Sequence, residues 1–420
     1  MKTKAVRLHG KNDLRLEEYE LPSIKDDEIL AEIISDSSCM SSYKAAIQGS
    51  DHKRVPQNIH ENPVIIGHEF CGNILEVGKN WQHKFEPQTK FTVQPALNYK
   101  GSLYAPGYSY PYFGGSATHI IIPNEVMEMN CLLKYHGDAY YYGSLAEPMS
   151  CIVGAFHAAY HTTPGSYTHD MDIREGGAVA ILAGAGPMGL GATDYALHRK
   201  RKPRVLVITD IDDARLKRAE SIYTVQKAKE QGIDLYYVNT AQHDNADEFL
   251  ISLTGGKGFD DVFVFAPVKA VVEQGDKILA RDGCLNFFAG PSDPDFSALL
   301  NFYNVHYNST HIIGTSGGNT DDLIESLQLM EKNIISPTAM ITHVGGLNSV
   351  AYTTINLPEI PGGKKLIYTN IEMELTAIDD LKKKGEFDPL ARKLAQIVEG
   401  NNGLWSLEAE RYLLANAKYI

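Results

Sequence analysis

The run Ala180-Ile181-Leu182-Ala183-Gly184-Ala185-Gly186-Pro187-Met188-Gly189 limits the possible folds of this chain more than any other. It places a GxGxxG turn directly after an apolar β run, Ala178 to Leu182, and a helical pattern from Met188 to His198 follows at once. The glycines meet separate demands: a tight turn, close approach of backbone to a pyrophosphate, and close packing of helix on strand. The helix start then offers free N–H groups to phosphates. Four more apolar runs follow: Val205 to Thr209, Val262 to Phe265, Cys284 to Phe288 and His311 to Gly314. Helical patterns such as Asp213 to Ile222 separate them. Strands alternating with helices build βαβ units, and apolar runs without alternation fit strands covered on both faces. The expectation is an α/β, doubly wound parallel sheet of the Rossmann type.

The second of these runs ends at Asp210, 21 residues beyond Gly189. A carboxylate at that separation accepts hydrogen bonds from the ribose diol and repels a 2′-phosphate. NAD(H) is therefore favoured, while Arg215, Lys217 and Arg218 just beyond keep NADP(H) open. The plainer readings are a glycine turn without cofactor and a helix-capping role for Asp210.

The first third of the chain has a different character. Lys4 to Leu8 and Asp13 to Glu17 alternate around a turn, Gly10 to Asn12, which predicts a hairpin. Ile29 to Ile34, Val64 to Val77, Phe91 to Val93 and Thr118 to Ile122 are further strand candidates, so this part reads as a compact barrel or sandwich. Pro95 to Gly115, rich in Gly, Pro and Tyr, reads as a long ordered loop or as a surface excursion. Beyond Gly318 come a helix, Asp321 to Lys332, and a β-like run, Lys365 to Thr369. Helical patterns follow at Leu390 to Val398 and Leu407 to Ala417. The domain expectation is 1–156 β-rich, 157–318 dinucleotide-binding, and 319–420 returning to the first domain with a helical extension.

Composition removes several function classes. The 39 basic and 52 acidic residues leave a net charge of −13, which repels nucleic acid and anionic lipid. Five scattered cysteines without a CxxC give no disulfide framework and suit a reducing compartment. The start carries no apolar core of signal-peptide length, and the stretch 178–197 is broken by glycines and Asp194. A cytoplasmic protein with no membrane partner is expected.

Within the β-rich part lie Cys39, then His68-Glu69 in Gly67-His68-Glu69, then Glu147 in Ala146-Glu147-Pro148. Thiolate, imidazole and carboxylate suit a tetrahedral catalytic Zn²⁺ that keeps one position open. Taken singly, Cys39 could be a small buried hydrophobe and His68 a satisfied core histidine. Their joint occurrence carries the metal reading.

The order of features, a β domain with Cys, then GHE, then EP, followed by a dinucleotide fold, resembles the medium-chain, zinc-containing alcohol and polyol dehydrogenases. The resemblance spans about residues 1–370. It implies a GroES-like catalytic domain interrupted in sequence by a Rossmann domain. Cys39, His68 and Glu69 then fall on the catalytic zinc positions, Glu147 on the fourth, and Ser41 on the hydroxyl that begins a proton relay. Gly314-Thr315-Ser316-Gly317-Gly318 falls near the nicotinamide loop, so Thr315 and Ser316 join Gly184, Gly186, Pro187, Met188, Gly189, Asp210 and Arg215 as cofactor candidates. Two departures stand out. The segment Pro95 to Gly115 lacks the four cysteines of a structural zinc site, so one zinc is expected. The relay position five after Cys39 is Lys44, where relatives often carry histidine.

Within that family the match is closest to a reductase of a ketose phosphate. The supporting segments are Glu61 to Gly72, Asn286 to Pro291 and Gly314 to Asp322. A sugar phosphate or polyol is then the partner molecule, and a homodimer or homotetramer the usual assembly. Lys44, His52, Lys53 and Arg54 are candidates for meeting a phosphate, or form a solvated basic loop. The rival readings are an enzyme of free polyols, a zinc-free quinone reductase, and a non-catalytic cofactor-binding protein on the same fold.

Overall fold

A computed structural model describes residues 1–420. The chain divides into two compact units. One comprises Met1–Pro148, Ser326–Asn333 and Pro337–Ile420; the other comprises Met149–Glu325 and Ile334–Ser336.

The second unit is built on a six-stranded sheet. Its order is Asp234–Asn239, Val205–Asp210, Ala178–Leu182, Phe259–Val264, Leu279–Phe287 and His311–Gly314. Every neighbouring pair is parallel. Numbered along the chain these strands run 3-2-1-4-5-6, the order of the dinucleotide-binding fold. Five of the six were legible as apolar runs. Asp234–Asn239 was not: it lies at the sheet edge, only Leu235 and Val238 are buried, and its sequence Asp-Leu-Tyr-Tyr-Val-Asn never becomes continuously apolar. The helix Asp213–Ile222 starts where the Asp212 carboxylate accepts the N–H groups of Ala214 and Arg215.

The first unit holds an eight-stranded sheet. Along it run Thr376–Ala377, Ile341–Gly346, Lys364–Tyr368, Ile29–Ser38, Phe70–Val77, Lys90–Val93 and Leu132–Lys134, with His119–Ile122 pairing to Ile29–Ser38. The predicted hairpin is present as Lys2–Gly10 against Asp13–Glu20. One expected strand, Val64 to Val77, is two: Val64–Ile65 and Phe70–Val77. Gly67, between them, takes φ +90, and a Cβ there would lie 2.1 Å from Asp36 Oδ2. The chain therefore leaves the ladder where His68 and Glu69 occur, and only glycine permits the bend.

The strand Lys364–Tyr368 lies antiparallel to Ile29–Ser38, with Leu366 opposite Ser37. This pairing returns the C-terminal part of the chain to the β-rich unit. The helices Pro389–Gly400 and Leu407–Asn416, with Trp405 between them, bury Leu394, Ile397, Trp405 and Leu413 in a common cluster with Tyr141, Leu366 and Tyr368. The segment 95–115 is mostly irregular but packed: Ala105, Tyr108 and Phe113 are buried. No helix is long and apolar enough to cross a membrane.

Candidate active site

Cys39 is the N-cap of the helix Met40–Gln48, with extended backbone at φ −125, ψ 146. This places its thiol at the helix start, one turn from Ser41 and Ser42. His68 and Glu69 come from the bend after Gly67. The possible ligand atoms of Cys39, His68 and Glu69 all lie within 4.8 Å of one another. Ser41 Oγ donates to Cys39 Sγ at 3.0 Å and lies 3.2 Å from His68 Nε2. Ser42 Oγ sits 3.3 Å from His68 Nδ1, fixing the ring from its other side. Burial pushes the Cys39 thiol up to about 11, with the Glu69 and Glu147 carboxylates adding to the rise.

Glu69 is also engaged elsewhere. Lys364 Nζ contacts its two oxygens at 2.5 and 2.6 Å, and the Ser37 hydroxyl donates to the same carboxylate. Burial favours the protonated acid, but the ammonium of Lys364, helped by His68, outweighs it and holds the carboxyl below its ordinary range. Lys364 is itself buried; the burial that opposes its charge is more than offset by Glu69 and Cys39, so its pKa is raised. Asp36, beside Gly67, is pushed up to about 7 by burial and accepts from Ser116 Oγ at 2.8 Å.

Of the predicted ligands, three converge and the fourth does not join them. Glu147 occupies the first turn of the helix Ala146–Ala158 and acts electrostatically on Cys39, Tyr108 and Lys364, but it lies outside the three-residue cluster. Lys44 lies in the Cys39 helix and adds positive potential at His52. Three participants were not predicted. Lys364 and Ser37 had no local signal. Tyr108, whose ring centroid is 5.1 Å from that of His68, is hidden in the Tyr-rich loop.

The donor set fits zinc. A thiol and an imidazole share one hydroxyl neighbour, and a carboxylate lies at hand, a combination of N, S and O ligands typical of catalytic zinc.

In the dinucleotide unit the glycine turn has the geometry its sequence demands. Gly186 caps the helix Pro187–His198, whose first turn carries Pro187. A Cβ on Gly189 would lie 2.1 Å from Gly184 O, so this glycine is fixed by helix–strand packing. A Cβ on Gly186 would meet nothing within 4 Å, leaving its backbone open to a phosphate. Asp210 closes the second strand, its Oδ1 accepting the N–H groups of Ile211 and Asp212 at 2.8 and 3.2 Å. Arg215 is exposed and 3.7 Å from Asp212. Thr315 keeps a buried hydroxyl without a hydrogen-bond partner, while Ser316 is exposed. Pro187 and Met188 open the helix. These features fit a bound dinucleotide.

A β-rich unit with a Cys–His–Glu centre and a unit with a dinucleotide turn define a metal- and nicotinamide-dependent oxidoreductase. A family model described as zinc-binding dehydrogenase matches residues 187–332. The chain is 53% identical, over 98% of its length and 97% of theirs, to a mannitol-1-phosphate 5-dehydrogenase of Aliivibrio fischeri. It is 49% identical to an L-sorbose 1-phosphate reductase of Klebsiella pneumoniae, over 100% of this chain and 98% of that one. Among solved structures, 2R,3R-butanediol dehydrogenase from Bacillus subtilis superposes with a TM-score of 0.69 at 20% identity, covering 88% of this chain and 100% of that chain. The chain belongs to the zinc-binding dehydrogenase family and is an alcohol or polyol dehydrogenase by class, with zinc and a nicotinamide dinucleotide as its cofactors.

Proposed function

We propose that this enzyme interconverts a ketose phosphate and a polyol phosphate, reducing L-sorbose 1-phosphate to D-glucitol 6-phosphate. The observation that carries the reading is the convergence of Cys39, His68 and Glu69 in a chain alike, from end to end, to enzymes named for sugar phosphates.

Cys39 and His68 would hold the zinc, with Glu69 or Glu147 as the acidic donor, and one zinc per chain is expected. When bound, the zinc supplies Lewis acidity toward the carbonyl oxygen and the nicotinamide supplies the hydride. The protein's own residues govern the proton. Ser41 has one hydroxyl proton and two neighbours, Cys39 Sγ and His68 Nε2, so it is the group placed to pass a proton to a nascent alkoxide. Lys44 lies three residues further along the same helix and serves as the next station toward solvent. Lys364 keeps Glu69 ionised, and Glu69 can ligate only by giving up part of that ion pair. Asp210, at the strand end, favours NADH over NADPH. Thr315 and Ser316 would contact the nicotinamide end, and Arg215 the adenosine ribose. The enzyme works as a homodimer or homotetramer.

The test is a panel of ketose phosphates, free ketoses and polyols, assayed with NADH and NADPH on protein of measured zinc content. Expected is a kcat/KM for L-sorbose 1-phosphate well above that for L-sorbose. Equal values would replace this reading with that of a free-polyol dehydrogenase.

A further inference from the structure

Most half-buried or buried arginines of this acidic chain are neutralised. Arg7 pairs with Glu17, Arg174 with Asp282, Arg199 with Asp172 and Arg201 with Asp170. Arg54 is different. It is half-buried and forms no ion pair; its Nε is buried with no hydrogen-bond acceptor, as are those of Arg174, Arg199 and Arg201, but no carboxylate neutralises its charge. A half-buried guanidinium with no carboxylate beside it keeps its full charge and its fork of donors for an anion such as a phosphate.

Its position tells which anion. The Arg54 guanidinium lies 5.4 Å from the centroid of the Tyr108 ring, and that ring is 5.1 Å from the His68 ring. One buried aromatic side chain therefore separates a metal-ligand candidate from an unpaired cation. Cys39, Ser41, Glu147 and Arg54 all act on the Tyr108 hydroxyl, so the tyrosine faces the same site. The segment is held in place. Ser109 Oγ donates to the Arg54 carbonyl at 2.7 Å, the Arg54 N–H donates to His52 Nδ1 at 3.3 Å, and His52 stacks on Tyr108 at 5.6 Å. Burial and the charges of Arg54, Lys53 and Lys44 lower the pKa of His52, which marks this corner as locally positive in a chain of net charge −13.

We propose that Arg54 binds the substrate's phosphate and selects sugar phosphates that carry it next to the reacting carbonyl. The proposal rests on the sugar-phosphate reading above and adds the group that recognises the phosphate. In a ketose 1-phosphate three bonds join phosphorus to the carbonyl carbon, a path of roughly 3.8 Å when extended, as across a trans peptide. That short linker suits a cation one ring away from His68. A 6-phosphate, four carbons beyond the carbonyl, hangs on a linker of six bonds, twice as long, which suits a more distant cation. The two sugar-phosphate relatives differ on this point: a 1-phosphate oxidised at carbon 5 has its phosphate far from the reacting carbon, whereas L-sorbose 1-phosphate has it adjacent.

The experiment compares wild type, Arg54→Met and Arg54→Lys, each at equal zinc content. It uses L-sorbose 1-phosphate, a ketose 6-phosphate and free L-sorbose as substrates and inorganic phosphate as inhibitor. In wild type the 1-phosphate is expected to be preferred over both other sugars. Arg54→Met is expected to reduce the ratio of kcat/KM for the 1-phosphate to that for L-sorbose by roughly 10- to 100-fold, mainly through KM. It should also weaken inhibition by phosphate. Arg54→Lys, which keeps the charge without the fork, should recover part of the ratio and decides the case if the Met variant does not fold. A wild-type preference that survives in both variants overturns the role of Arg54 and leaves the sugar-phosphate reading standing. No wild-type preference for phosphate overturns that reading itself. A preferred 6-phosphate overturns the positional claim.

Discussion

Cys39 and the two glycines Gly186 and Gly189 can be tested one atom at a time. Cys39→Ala removes the thiolate from a three-donor cluster. The variant is expected to lose both stoichiometric zinc and turnover, read by metal analysis and initial rates; a fully active, zinc-replete Cys39→Ala protein would defeat the proposed centre. The glycines separate packing from binding. Gly189→Ala drives a methyl against the Gly184 carbonyl, with no flexible side chain to yield, and should cost about 2 kcal/mol or more in urea denaturation. Gly186→Ala meets open space and should stay within about 1 kcal/mol of wild type, yet weaken NADH binding about 10-fold or more because its methyl occupies the pyrophosphate's approach. Titration calorimetry with NADH checks the second half.

At the scale of elements, the C-terminal helices do more than cover the sheet. The helix Leu407–Asn416 carries Glu410, whose carboxylate accepts the backbone N–H groups of Tyr140 and Tyr141 at 2.7 and 2.9 Å and the Tyr368 hydroxyl at 2.9 Å. It thereby caps the short helix Tyr140–Ser144, just ahead of Glu147. Trp405 Nε1 donates to the same Tyr368 oxygen. Burial pushes the Glu410 carboxyl up to about 7, against the pull of the Tyr141 and Tyr140 N–H groups. An acid whose folded pKa exceeds its unfolded value binds its proton more tightly when folded. Its stabilising contribution is complete below the unfolded value, near 4.3, and is lost as pH rises through about 7. Stability should therefore fall by on the order of 3 kcal/mol from this group between pH 4.5 and 7. Glu410→Gln should flatten that fall in urea titrations at the two pH values. Glu410→Ala, leaving three buried donors unpaired, should destabilise at both by about 2–4 kcal/mol.

For the whole molecule, the two units offer separate ligand responses. The candidate zinc donors belong to the β-rich unit and the candidate dinucleotide turn to the other, so each ligand would stabilise the unit it contacts. Hydrogen exchange should show that chelating zinc loosens amides around Cys39, His68 and the strand Lys364–Tyr368. Adding NADH should protect Ala178–Leu182 and Pro187–His198. Protection in the reverse pattern would contradict the assignment of cofactor to unit. The net charge of −13 acts at the same scale: an anionic substrate is repelled at long range, so a local cation such as Arg54 has to supply the attraction.

Much of this was legible in the chain because the demands are local. The glycine turn needs three glycines at fixed offsets after a strand, and Cys39 with Ser41, or His68 with Glu69, are set by neighbours along the backbone. The strand Asp234–Asn239 escaped notice because a half-covered edge strand leaves no continuous apolar run. What only the tertiary structure decided are the pairings. Glu69 meets Lys364 across 295 positions because both flank the strand Ile29–Ser38, Lys364–Tyr368 pairing with it on one side and Phe70–Val77, which Glu69 precedes, on the other; a buried carboxylate needs a cation in a medium that water cannot screen. The same folding leaves Arg54 without an acid above the Tyr108 ring. Sequence determines which residues can do the chemistry, whereas burial and the approach of distant strands determine which of them are charged, paired or left open for a ligand.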